Sequence, residues 1–135
     1  MSHFTRGQCA VSDPEALLLA LNEVGVALEH IEIHATPQPL YGFEGQERGE
    51  TANLIVRREH VGYLSNDIGV LMTPNGAEII VSEYDRRHRY GDAWINKLRQ
   101  LAGVHMALLT AQRNGQYAER RVDAKGRLQV VVGVA

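Results

Sequence analysis

Two imidazoles and a carboxylate at alternate positions, His30, Glu32 and His34, are the side chains of this 135-residue chain best suited by type to hold a metal ion. On a strand such residues share one face, and a zinc-like ion could take them and keep a position open for water. Neighbours on a strand face lie about 7 Å apart, which is long for three ligands on one ion, and a half-buried strand alternates polar and apolar residues anyway. The solvated strand face is the plainer reading, and neither Cys-x-x-Cys nor His-Glu-x-x-His supports a metal. A second candidate is His105, set at helical spacing among Leu101, Ala102, Leu108 and Leu109. Burial would keep it neutral, and a carboxylate such as Asp67 beside it would make it a general base. His105 and Asp67 are thus the catalytic candidates if the chain is an enzyme, although a core histidine with one satisfied hydrogen bond is the more ordinary state.

Arg86-Arg87-His88-Arg89, between Tyr84 and Tyr90, is the densest basic cluster. Arginines beside tyrosines suit phosphate contact with base stacking, and they equally suit an acidic protein partner or the chain's own Glu44, Glu47 and Glu50. The balance of 14 Lys+Arg against 16 Asp+Glu, net −2, weighs against nucleic acid, so the cluster reads as a solvated or partner-facing turn. Charge is uneven along the chain. Residues 1–67 carry four basic and ten acidic side chains, for −6, and residues 68–135 carry ten and six, for +4. Cys9 has no electropositive sequence neighbour to activate it, and one cysteine cannot bridge within the chain. No phosphate-cradling, dinucleotide or Gly-x-Ser-x-Gly motif occurs, and no cofactor is implied.

The elements that must position these groups follow from periodicity and turn chemistry. A first strand is expected over 3–11. Ser12-Asp13-Pro14-Glu15 is a capping-box start to a helix reaching about Val24, with Leu17, Leu18, Leu21 and Val24 on one face. Residues 27–35 alternate as a strand with Ile31 and Ile33 inward. Residues 36–50, with Pro37, Pro39 and three glycines around Leu40-Tyr41-Gly42-Phe43, read as a surface loop with one short extended piece. Strands over 52–58, 67–72 and 77–83 form a meander, the last two joined at Pro74-Asn75-Gly76, where Asn-Gly suits a tight turn. Asp92 caps a second helix that ends at Asn114-Gly115, and strands over 116–122 and 127–132 close the chain as a hairpin. The expected fold is α+β: an antiparallel sheet with two helices on one face, split βαβ-like, with an inserted meander and a C-terminal hairpin, in one domain spanning 1–135. No apolar run approaches the ~20 residues of a membrane helix, and no basic stretch leads into an apolar one at the start, so a cytoplasmic protein is expected.

Tyr41-Gly42-Phe43-Glu44-Gly45-Gln46, Ile55-Val56-Arg57-Arg58-Glu59-His60, Asp67-Ile68-Gly69 and Gly126-Arg127-Leu128 occur in an order that resembles the hypothetical chloroplast reading frame thirty-five family. That family is also catalogued as a domain of unknown function, numbered twelve fifty-seven. The resemblance covers nearly the whole chain, with Asn66 where the family pattern has a tyrosine before Asp67 and Val104-His105-Met106-Ala107 where it is tyrosine-rich. It implies no established activity. What it implies about partners is a loose association with AAA-type ATPases.

The reading that results is a non-enzymatic binding or adaptor protein, with a metal- or His-dependent enzyme or ligand-binding module as the alternative. Arg86, Arg87, Arg89, Tyr41, Phe43 and Val131 are its partner-binding candidates. Val130-Val131-Val132 must point to both faces of the last strand, and an uncovered outer face would favour self-association through the C-terminal hairpin.

Overall fold

The computed structural model describes residues 4–133. Strand β1 (Phe4–Cys9) leads to helix α1 (Pro14–Glu23) and then to four strands, β2 (Ile31–Tyr41), β3 (Glu47–Val56), β4 (Ile68–Thr73) and β5 (Gly76–Ser82). Helices α2 (Glu83–His88) and α3 (Asp92–Arg113) and strands β6 (Tyr117–Val122) and β7 (Leu128–Gly133) follow. Single 3₁₀ turns stand at Leu28–His30 and Arg58–His60. His3 and Val134, which belong to the expected first strand and the apolar tail, lie outside the described residues.

Five strands form one sheet in the order β1-β5-β4-β3-β2, every neighbour antiparallel. It follows that β1 and β2 run parallel at opposite edges, joined through α1, which is the split β-α-β expected. One face carries the main core: Leu17 and Leu21 of α1 and Ile95, Leu98, Leu101 and Ala102 of α3 pack on Leu54, Val56, Val70, Ile79 and Val81. The α1 cap is Asp13, whose Oδ1 accepts from the Glu15 N–H at 2.9 Å. The expected Ser12 stands one residue outside, because Pro14 occupies the first helical position.

On the other face, where no helical residue joins the cluster among the described residues, Leu40, Ala52, Ile55 and Ile80 are fully buried. What covers them is the segment expected to be a loop. Residues 36–50 are instead the distal part of a long β2–β3 hairpin that folds across the sheet. Pro37 and Pro39 are tolerated because β2 is an edge strand whose ladder is interrupted between Ile33 and Gln38 and again between Pro39 and Tyr41. The bend is spliced by Asn53: its amide donates to His34 O at 3.1 Å and Ala35 O at 3.3 Å, and its Oδ1 accepts from the Met72 N–H at 2.9 Å. Burial alternation along β3 changes phase there, with Ala52 and Leu54 on opposite faces. Gly69 is the floor on which the arm rests, since a Cβ at that position would meet Ala52 Cβ at 2.6 Å and both Leu40 methyls at 3.0 Å.

Three further segments differ from what the sequence implies. Ile33, expected inward, is 63% exposed on the edge strand, whereas Ile31 is buried. The β4–β5 turn is centred on Pro74-Asn75, closed by the Thr73–Gly76 pair; Asn75 keeps a negative φ, and the positive φ belongs to Gly76. The arginine run is not a turn but lies on α2 and its C-terminal end, with Ser82 Oγ accepting from the Asp85 N–H. The C-terminal hairpin is a separate two-stranded sheet against α3, from which Leu128 reaches the main core. Among the described residues no helix is long and apolar enough to cross a membrane.

Candidate functional site

Asn66 and Asp67 enter β4 with their side chains buried, and between them they tie three segments together. Asp67 Oδ2 accepts from the Tyr41 N–H and from Arg57 Nη1, both at 2.8 Å, and its Oδ1 accepts from the Arg58 N–H at 2.8 Å. The Asp67 N–H donates back to Tyr41 O at 3.0 Å, so the arm is clasped from both sides. Asn66 spends its whole amide in the same region: Oδ1 accepts from the Phe43 N–H at 3.1 Å, and Nδ2 donates to Ser82 Oγ at 2.9 Å. Its backbone N–H donates to Asp85 Oδ2 at 3.0 Å, and the Ser82 hydroxyl donates to that same oxygen at 2.7 Å. Ser82 and Asp85 are each 1% exposed. A tyrosine at position 66 would carry neither the amide donor nor the amide acceptor used here.

Arg57, which the sequence reading did not single out, extends the clasp outward. Its Nε and Nη2 grip the two oxygens of Glu32 at 2.9 Å each, and its Nη1 also donates to Pro39 O at 3.0 Å. His34 Nε2 meets Glu32 Oε1 at 2.8 Å, giving a row His34–Glu32–Arg57–Asp67 that runs from half-exposed to buried. Arg57 holds the Glu32 carboxyl below its usual range against the opposing effect of burial, with His34 adding to the lowering. The two carboxylates in turn push the guanidinium up. The third member of the expected metal set is elsewhere: His30 sits in the 3₁₀ turn before β2 and stacks on His60, ring centroids 3.8 Å apart. Among the described residues no group of three or more His, Cys, Asp or Glu could hold a metal ion.

The two catalytic candidates do not meet. His105 Nε2 lies 2.7 Å from Glu23 Oε1, at the far end of α1, and Arg120 of β6 grips the same carboxylate at 2.9 and 2.8 Å. With its side chain 16% exposed, His105 is largely covered, but it fastens α3 to α1 instead of serving Asp67. Asp67, filled by three donors and 1% exposed, has no oxygen turned toward a substrate. Cys9 is buried and free.

What the buried knot presents outward is apolar. Tyr41 is 36% exposed and Phe43 41%, on the arm held by Asp67 and Asn66; Tyr63, at 91%, and Leu64, at 45%, stand on the loop that leads into the same two residues. Arg57 lies 5.5 Å from the Tyr41 ring centroid and stiffens it. Of the arginine run, Arg87 pairs with Glu83 and Arg86 with Asp92. Arg89 makes no ion pair among the described residues and lies 5.8 Å from the Tyr90 ring. On the C-terminal hairpin Val131 and Val132 are exposed on the last strand, with Tyr117 and Val122 exposed on its partner. Tyr41 and Phe43 were legible as an aromatic pair in the sequence; Tyr63 and Leu64 were not, and an apolar pair flanked by Gly62 and Ser65 outside any periodic segment is the signal that would have found them.

A family model described as a protein of unknown function, DUF1257, matches residues 20–131, most of the chain. No curated protein and no solved structure matches.

Proposed function

The chain belongs to the DUF1257 family, whose description carries no activity, and we propose from its surface that it is a non-enzymatic cytoplasmic adaptor acting through protein–protein contacts. The observation that supports this is the pairing of a rigid buried anchor with exposed apolar side chains: Tyr41, Phe43, Tyr63 and Leu64 project from two irregular segments that Asn66 and Asp67 hold in place. Loops are free to carry binding residues when a scaffold positions them, and preorganised aromatics bind without much loss of side-chain freedom. The polar groups of the knot are engaged in holding the loops, which supports recognition as the use of this end. An AAA-type ATPase is the partner class that the family resemblance suggests testing first. The exposed valines of β7 support a second contact, to another copy of this chain.

Photo-crosslinking residues placed singly at Phe43, Tyr63, Val131 and, as control, Lys97 test both contacts in living cells. Phe43 and Tyr63 are expected to give one shared adduct with a heterologous protein, Val131 an adduct of twice the chain mass, and Lys97 neither. Adducts at Lys97 as abundant as at Tyr63 would overturn the surface assignment. Stoichiometric zinc, iron or copper retained by the untagged protein and lost in His34→Ala would favour the metal-dependent alternative instead.

A further inference from the structure

A cavity of about 210 Å³ lies away from the Asp67 knot, walled by the turn that leaves α1 (residues 24–27), the two 3₁₀ turns, the end of α2 and the start of α3. Its aromatic wall is ordered. His30 and His60 stack at 3.8 Å with their planes 9° apart, and Tyr90 meets Trp94 edge-on at 5.0 Å and 85°. Tyr90 is satisfied, its hydroxyl donating to Val61 O at 3.0 Å. The other polar groups are not: the imidazoles of His30 and His60, the guanidinium of Arg89 and the indole N–H of Trp94 make no hydrogen bond or ion pair among the described residues. No carboxylate lines the cavity, although Glu29 and Glu59 are the sequence neighbours of the two histidines.

An arginine cannot lose its charge, each imidazole carries at least one N–H, and an indole only donates. Four donor groups around one space, one of them a permanent cation, with no acceptor acid in the walls, are complementary to an oxyanion, for which guanidinium hydrogen bonds are the strong ones. The volume falls below the ~300 Å³ at which drug-sized pockets begin, so the ligand is small. Flat imidazole and indole surfaces suit a planar body behind the anionic head. We propose that this cavity binds a small molecule bearing a phosphate or carboxylate group on a planar frame, with Arg89 as the charge partner and His30, His60 and Trp94 completing the donor set. This function is separate from the apolar docking surface.

Trp94 is the only tryptophan of the chain, so its fluorescence reports this cavity alone. The full-length protein is titrated with inorganic phosphate, phenyl phosphate and benzoate at ionic strength held constant with sodium chloride, and with benzamidinium as the cationic counterpart; the carbon-bound imidazole protons are followed in parallel by NMR. Saturable responses to phenyl phosphate and benzoate are expected, with inorganic phosphate weaker and benzamidinium silent. Arg89→Gln should weaken the anions at least tenfold, and His60→Ala should weaken phenyl phosphate more than inorganic phosphate. Both positions are exposed, so folded variants are expected, with circular dichroism to verify it. An absent saturable response, a benzamidinium response equal to that of benzoate, or unchanged anion binding in Arg89→Gln would each overturn the proposal.

Discussion

The two ends of this molecule are fastened by the same kind of contact, carboxylate to arginine, under opposite conditions. At one end Asp67 is 1% exposed and Arg57 bonds it together with a second carboxylate and a backbone carbonyl. At the other, Glu23 and Arg120 close a bidentate pair with both side chains 34% exposed, and His105 joins from the side. Coulomb attraction is similar at contact; solvent makes the difference. A buried charge stripped of a partner has no water to turn to, whereas an exposed one is rehydrated at once. The Asp67 end is therefore built to hold one conformation, and the C-terminal hairpin is docked by contacts that water can replace.

Removing Asp67 should give the largest effect. Asp67→Ala orphans the Tyr41 and Arg58 N–H groups and part of the Arg57 guanidinium, an expected loss of about 3–5 kcal/mol read from the urea midpoint. A loss below about 1 kcal/mol would mean that water enters the knot and that the contrast fails. Next is Gly69→Ala, whose methyl must displace Ala52 or Leu40; overpacking of this kind costs about 1–3 kcal/mol, and Tyr41 and Phe43 should become more mobile by NMR relaxation while the α3 core stays unchanged.

The smallest effect sharpens the other side. Arg120 holds the Glu23 carboxyl down to about 2 from an ordinary 4.5, against burial and with help from His105. A carboxylate with a depressed folded value stabilises above its unfolded value and loses that contribution as pH falls through the folded one. The difference between the protein and Glu23→Gln should thus be full above about pH 4.5, shrink below it and vanish near pH 2. For pairs this exposed it amounts to about 0.2–1 kcal/mol at neutral pH, and it should fall with added salt. A salt-insensitive difference would show that Glu23 acts as a buried group.

How much of this was legible in the residues depended on how local the cause is. The order of strands and main helices followed from apolar periodicity, and α1 and β5 lie within a residue or two of the segments expected for them. The arm did not, because Pro37 and Pro39 resemble loop punctuation unless β2 is known to be an edge strand. Ile33 alternates correctly and still faces water, since on the edge strand Pro14, Leu18 and Leu54 line only a shallow groove beside it. Helix α2 has no apolar stripe in Arg86-Arg87-His88, although Ser82-Glu83-Tyr84-Asp85 carries a helix-start pattern. In the knot, Asp67 stood out by its motif, but its partners and those of Asn66 come from three segments that only the folded chain brings together. His30 illustrates the reverse case: alternation placed it on one strand face with Glu32 and His34, and a 3₁₀ turn removed it from the strand.

The arm that closes the second face also sets two clocks within one domain. It is held by the reciprocal Tyr41–Asp67 bonds, the Phe43–Asn66 and Arg57–Pro39 bonds and a small apolar patch, not by a helix, so its opening breaks those contacts and costs less than unfolding the whole chain. Its amides then exchange with deuterium through this partial opening, whereas those of Ile79 and Val81, in an interior strand under α1 and α3, wait for the whole chain to unfold. Each opening uncovers Leu40, Ala52, Ile55 and Ile80 together and frees Tyr41 and Phe43 from the Asn66–Asp67 anchor, so the time the proposed docking surface spends assembled is set by the arm's closing equilibrium.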